Sequence, residues 1–221
     1  MENKGIKIKK IVQFIMKIFW IFVIGSVFGF FAEMLYALVY TRTLEIRQGL
    51  IYGPFIQIYG IGAIAYHLLV SKIKEPKRLF FSGMLMGGAL EYLCSFFQEI
   101  FWGTVSWDYS HLFMNLNGRV CLLYCFYWGI IAVAYLKIFY PGMQKLDDLI
   151  EKRGVRIFTI LFMLFMTFDI VISCMAADRQ QKRHQQLPPA NAIEVFLDEH
   201  YPDELMDRVY NNKKEVEFLP S

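Results

Sequence analysis

Apolar residues gather along this chain in runs of roughly 20, parted by short polar stretches that hold the lysines and arginines. A run of that length crosses a hydrocarbon core of about 30 Å as a helix. Five such runs, at about 18–40, 50–70, 79–101, 118–139 and 157–175, predict five transmembrane helices. The predicted fold class is therefore an all-α integral membrane protein. Its helical domain at 18–176 lies between a basic segment at 1–17 and a polar tail at 177–221.

Within the first segment Lys4, Lys7, Lys9, Lys10 and Lys17 alternate with Ile8, Ile11, Val12, Phe14 and Ile15, the pattern of an amphipathic lead-in at a membrane surface. The apolar run that follows continues to Tyr40, well past the ~7–15 residues of a signal-peptide core, and reads as a retained anchor. A polar hairpin with Arg42, Glu45 and Arg47 precedes the second run, and Gly53-Pro54 predicts an irregular entry to it. After the fourth run, Met143, Leu146, Leu149 and Ile150 recur at helical spacing opposite Lys145, Asp147, Asp148 and Glu151. Pro141 and Gly154 bracket these residues as a short amphipathic connector helix. In the tail, Pro188-Pro189 separates a basic part from a short helix expected near 193–210.

Composition agrees with the pattern: 56% of residues are apolar, 17% are aromatic and the mean hydropathy is +0.37. A pI near 8.6 raises the question of nucleic acid, but the cations sit between the apolar runs and read as topology signals instead. The N-terminus, the 72–78 loop and the 137–156 connector hold five, four and five Lys or Arg; the 41–48 hairpin and the 102–119 loop hold two and one. The positive-inside rule places the N-terminus in the cytoplasm, with the C-terminus outside. Three basic residues at the start of the tail (Arg179, Lys182, Arg183) pull mildly the other way. Cys94, Cys121, Cys125 and Cys174 all lie in apolar segments, which disfavours a disulfide framework. Cys121 and Cys125 share a predicted helix face, open to a metal or redox reading or to plain packing.

The first and third runs repeat each other. Gly25, Gly29, Glu33 and Leu35 recur at an offset of 58 as Gly83, Gly87, Glu91 and Leu93, and Phe22 matches Phe80. Gly49, Gly60, Ile61, Ala63, Ala65 and Tyr66 recur at an offset of 69 as Gly118, Gly129, Ile130, Ala132, Ala134 and Tyr135, with Trp128 opposite Tyr59. Two hairpins of two spans each would point the same way, related by an axis along the membrane normal. Glycines spaced by four permit close helix packing, and one turn further each helix presents a carboxyl group. The expectation is that Glu33 and Glu91 face each other or a shared cavity.

An acidic residue at mid-membrane costs up to ~3 kcal/mol and usually faces protein or water, often along a pathway. Glu33 and Glu91 are thus candidates for a proton, cation or amine site, or else neutralised carboxyls that dock helices. Asp169, one turn before Ser173, is a third such group, with a plain interhelical hydrogen bond as the alternative. Arg119 is expected either as a counter-ion to Glu91 or Asp108 or as a snorkelling anchor. Trp107, Asp108, Tyr109 and Asn117 belong to an extracytoplasmic loop whose aromatics suit an interfacial belt or a lid over a site. No Gly-x4-Gly-Lys-Ser/Thr occurs, so the chain carries no P-loop, and no hydrolase or zinc motif supports an enzyme. No cofactor is implied.

With Gly49-x2-Tyr52-Gly53-Pro54-Phe55-x3-Tyr59-Gly60, Glu91-Tyr92, Trp107-Asp108-Tyr109-Ser110, Asn117-Gly118-Arg119-Val120 and Trp128-Gly129, the chain resembles a bacterial family, the Putative ABC-transporter type IV permeases. The likeness runs from about Phe19 to Tyr140, with Asp169-x3-Ser173 resembling the family's last-span motif. It implies a permease subunit of a bacterial plasma (inner) membrane whose ATPase is a separate chain, and the small size implies a homodimer. A scaffold or sensor that binds a partner through its external loop and tail is the alternative.

Overall fold

The computed structural model describes residues 2–40, 42, 46, 48–211 and 213–215. Glu45 and Arg47 of the expected polar hairpin lie outside the described residues. The helices are α1 (Glu2–Tyr40), α2 (Gln57–Lys72), α3 (Pro76–Trp102), α4 (Leu122–Ala134), α5 (Tyr140–Gln144), α6 (Leu146–Ile150), α7 (Arg153–His184), α8 (Ala192–His200) and α9 (Asp203–Val209). Short strands β1 (Thr104–Val105) and β4 (Lys214–Glu215) pair with each other, as do β2 (Asn115–Leu116) and β3 (Val120–Cys121).

Four helical runs are long and apolar enough to cross a membrane: Gly5–Tyr40, Pro76–Trp102, Leu122–Ile150 and Arg153–His184. They leave Phe81, Leu85, Leu161 and Leu164 more than half exposed, a surface suited to lipid. The second expected span differs. Its helix, α2, has 16 residues and so is about 24 Å long at 1.5 Å per residue, short of the hydrocarbon thickness. Residues 49–56 ahead of it are not helical: Gly53 sits at φ 85°, and Pro54 follows it. Their backbone is tied instead by Gly49 N–H to Phe55 C=O (2.9 Å), Gln57 Nε2 to Gly49 C=O (2.7 Å) and Ile56 N–H to Ser26 C=O (3.2 Å). Leu50 and Phe55 are buried with Val23 and Met166, between α1 and α7.

The basic segment 1–17 is no separate surface element; it is the first part of α1, which runs unbroken for 39 residues. Its polar face meets the connector, where Lys17 pairs with Asp147 and Lys9 approaches Glu151 at 3.8 Å. The connector is likewise continuous with the span before it. A π-turn at Tyr135–Phe139 carries α4 into α5, Tyr140 N–H bonding five residues back to Tyr135 C=O. Pro141 explains the widening, because its ring would strike the carbonyl four residues earlier in a regular helix. Gly154 stands in the first turn of α7 and does not end the connector.

α3 starts and stops as its sequence dictates. The Glu75 carboxylate accepts from Lys77 and Arg78 N–H, both at 3.2 Å, Pro76 takes the first position, and left-handed Gly103 closes the far end. Cys121 is extended in β3, so it shares no helix face with Cys125. All four cysteines are free.

The tail is folded. α8 and α9 turn back on α7, burying Leu197, Tyr201, Met206 and Val209 against Ile51, Ile172 and Ala176. β4 then pairs with β1 just beyond α3. The tail therefore caps the end of the bundle that also holds residues 49–56 and the 103–121 loop.

Candidate functional site

Glycine packing sets the first pair of carboxyl groups. A Cβ added at Gly25 would meet Ala63 and the Tyr59 carbonyl; one added at Gly29 would enter the Tyr59 ring. At Gly83 the corresponding atoms belong to Ala132 and the Trp128 carbonyl, and at Gly87 to the Trp128 side chain. So α1 lies directly on α2 and α3 directly on α4, with one large aromatic wedged over the second glycine of each pair. The glycines of α1 and those of α3 each have their nearest neighbours in their own hairpin.

Each wedge donates to the carboxyl one turn further on. Tyr59 Oη–H bonds Glu33 Oε1 at 2.6 Å, and Trp128 Nε1–H bonds Glu91 Oε2 at 3.3 Å. The two rings lie 5.8 Å apart. Glu33 and Glu91 thereby share one aromatic cluster. Tyr109, from the 103–121 loop, gives its hydroxyl to Glu91 Oε1 at 2.9 Å and stacks on Tyr124 at 4.4 Å. Tyr124 meets Tyr36 of α1 at 3.4 Å, hydroxyl to hydroxyl. Glu91 is 4% exposed. Both its oxygens are held by neutral donors, and it has no ion-pair partner among the described residues.

A cavity of about 90 Å³ lies against the same two rings, toward the α5–α6 end. Ile21, Ile24, Phe28, Ala63 and Ile131 complete its wall with Tyr59 and Trp128, and the π-turn residues Tyr135 and Phe139 border it. Its lining is almost wholly apolar, and Phe28 stands exposed at its rim.

Arg119 takes a different partner from the two expected. Its Nη2 binds Glu99 Oε2 at 2.6 Å, and the guanidinium lies over the rings of Tyr92 and Phe96. The reason is its level in the fold: α4 begins at Leu122, not at Gly118, so Arg119 sits in the hairpin above the helix, beside the last turn of α3.

Asp169 is fully buried in α7. Its Oδ1 accepts from Tyr52 N–H at 3.1 Å and Ser173 Oγ at 3.2 Å, and Ser173 Oγ accepts from Ile51 N–H at 3.0 Å. This pair supplies acceptors to the irregular backbone at residues 51 and 52, whose N–H groups have no helical partner.

The loop is ordered by its own polar residues. Asn117 and Gly118 both have positive φ, and Arg119 N–H bonds Leu116 C=O at 3.1 Å, the tight turn that Asn-Gly favours. Trp107 Nε1–H bonds Arg119 C=O at 2.8 Å, Asp108 accepts from Ser110 N–H at 2.9 Å, and Asn117 reaches Tyr92 Oη at 3.1 Å. These contacts aim Tyr109 down at Glu91.

Charge holds the cap. Arg179, almost wholly buried, makes two 2.8 Å bonds to the Asp198 carboxylate. Arg183 joins Asp198 and Asp203, and Lys182 reaches Glu194 at 2.9 Å. The Arg179 hydrogen bonds hold the Asp198 carboxyl below its ordinary range; the Ala190 N–H, then Lys182, does the same for Glu194. The sequence carried a signal for this cap in the apolar spacing of Leu197, Tyr201, Leu205 and Val209 against acids that answer the basic end of α7. Tyr59 and Trp128 were also readable, as aromatics in matched positions before Gly60 and Gly129.

These features define a multi-pass helical membrane protein in which Glu33 and the buried Glu91 are held by one aromatic cluster. The chain belongs to the family described as Putative ABC-transporter type IV, whose family model matches residues 20–174. Neither a curated protein nor a solved structure matches it. The match contains the carboxyl cluster and Asp169 but ends before the cap.

Proposed function

We propose that the chain is the permease-like membrane subunit of a transporter energised by an ATPase on a separate chain. The observation that carries this reading is the Glu33–Tyr59 and Trp128–Glu91 cluster between the two hairpins. Carboxyl groups are retained in an apolar bundle at a cost, and a pathway for protons, cations or polar solutes accounts for that cost. Matching contacts of Gly25 with Ala63 and of Gly83 with Ala132 support two copies of one hairpin about a pseudo-axis. In that reading α2, with residues 49–56 completing it, is a fifth crossing, and Arg119 with Glu99 and Asp169 with Ser173 frame the outer mouth.

The lysines of α1 and the α5–α6 connector form the cytoplasmic end, and the connector is the surface on which an ATPase docks. The membrane is a bacterial plasma membrane, and a homodimer encloses the full pathway. Affinity purification from native membranes tests this: recovery of a nucleotide-binding subunit, lost when Asp148 and Leu149 are both replaced by alanine, supports it. Recovery of none contradicts it. The folded cap favours a second reading, in which loop and tail bind an external partner without transport; capture of such a partner with no ATPase would select it.

A further inference from the structure

Where the first turns of α1 pass α6 and the start of α7, a cavity of about 290 Å³ opens. That is nearly twice the roughly 150 Å³ that holds benzene, so a phosphate ester fits. Lys9 and Gln13 line it from α1, and Glu151 and Arg156 from the opposite side. Gln13 Nε2 donates to Asp147 C=O at 3.3 Å and Lys17 pairs with Asp147, so α1 is held against α6 and the walls are preformed. The half-buried Arg156 guanidinium reaches the Glu151 carbonyl, at 3.5 Å, and meets no carboxylate among the described residues. Lys9 stands 3.8 Å from the Glu151 carboxylate, with both side chains more than half exposed. Such a pair is worth little in water and yields readily to a better anion. Two cations thus line the cavity against one carboxylate.

The rest of the wall is apolar and includes Ile8, Val12 and Ile150. Ile8 and Val12 are exposed, as are Ile11, Phe14 and Ile15 around them, and exposed Lys7 and Lys10 stand among these side chains. Arg156 comes one residue before the apolar run of α7, which opens on the exposed Ile157 and Phe158. The cavity therefore stands where lipid-facing surface begins. A soluble anion would use the cations and leave the isoleucines bare; a phospholipid covers both.

We propose that this cavity binds the phosphate of an anionic phospholipid, held by Lys9 and Arg156, with an acyl chain lying along Ile8 and Val12. The lipid joins α1 to α7 at the end of the bundle that carries the connector. The inference does not depend on the permease reading.

The test is native mass spectrometry of the full chain in detergent, titrated with phosphatidylglycerol or phosphatidylcholine, with and without inorganic phosphate. Saturable retention of phosphatidylglycerol is expected, about fivefold or more tighter than that of phosphatidylcholine and undisturbed by millimolar phosphate. Lys9→Gln and Arg156→Gln should each weaken it about fivefold. Lys77→Gln, which removes an equal charge from the exposed first turn of α3, should change it by less than about twofold. Equal retention of the two lipids by the unmodified protein overturns the proposal without needing any variant to fold, as does an equal loss in Lys77→Gln. Displacement of the lipid by inorganic phosphate also overturns it and assigns the cavity to a free anion.

Discussion

The indole N–H of Trp128 points at Glu91 across 3.3 Å while the same side chain fills the space over Gly87. One residue thus packs the α3–α4 hairpin and orients its carboxyl, and Tyr59 does both for Glu33 over Gly29. Helix packing and site geometry therefore change together.

That coupling predicts the behaviour of the glycines. Gly87→Ala puts a methyl into the Trp128 side chain, so an overpacking cost of about 1–3 kcal/mol is expected. Gly142→Ala meets nothing within 4 Å and gains about 0.5–1 kcal/mol of helix propensity. Thermal unfolding in detergent, followed by size-exclusion chromatography, should place the two variants on opposite sides of the parent.

Arg119 stabilises the turn above α4 through Glu99. Arg119→Ala should cost about 1–3 kcal/mol, since a half-buried carboxylate loses a charged partner. Glu91→Gln should leave the Arg119–Glu99 coupling intact in a double-mutant cycle, whereas Glu99→Gln should abolish it.

The spans were legible because a run of apolar residues has one meaning when it is long enough. Glu33 and Glu91 were legible because two acids in one register are hard to place otherwise. The partner of Arg119 was not, since the apolar pattern reads as helical from Gly118 onward. Starting it at Leu122 raises Arg119 to the level of Glu99, two turns or about 12 Å beyond Glu91 along α3. The shortness of α2 was hidden because Leu50, Ile51 and Phe55 are as apolar in an irregular buried segment as in a helix. The cap was hidden for the opposite reason: its surface is charged, and only its inner face, Leu197 to Val209, is apolar.

Asp169 and Ser173 act as acceptors for residues 51 and 52. Ser173→Ala should strand Ile51 N–H and Asp169→Ala should strand Tyr52 N–H, each costing about 1–3 kcal/mol. Their effects should be non-additive, because Ser173 Oγ also bonds Asp169. Hydrogen exchange at residues 49–56 reads this directly, with faster exchange expected in both variants.

The cap should loosen in acid. Asp198 and Glu194 titrate below their ordinary values when the tail is docked, so docking gains stability above the unfolded carboxyl pKa of about 4. That gain is lost as pH falls through the lowered values. Pepsin cleavage between α7 and α8 should therefore rise steeply below about pH 4. With a neutral-pH protease, Asp198→Asn should show the same cleavage at pH 7.

We propose that Glu33 and Glu91 form one working site in an ATP-driven permease. It is tested most directly by ATP hydrolysis in complexes recovered from native membranes, comparing the parent with Glu33→Gln and Glu91→Gln. An ATPase subunit should co-purify with all three chains, and either substitution should uncouple hydrolysis from solute. Full solute-stimulated hydrolysis in both variants would contradict it.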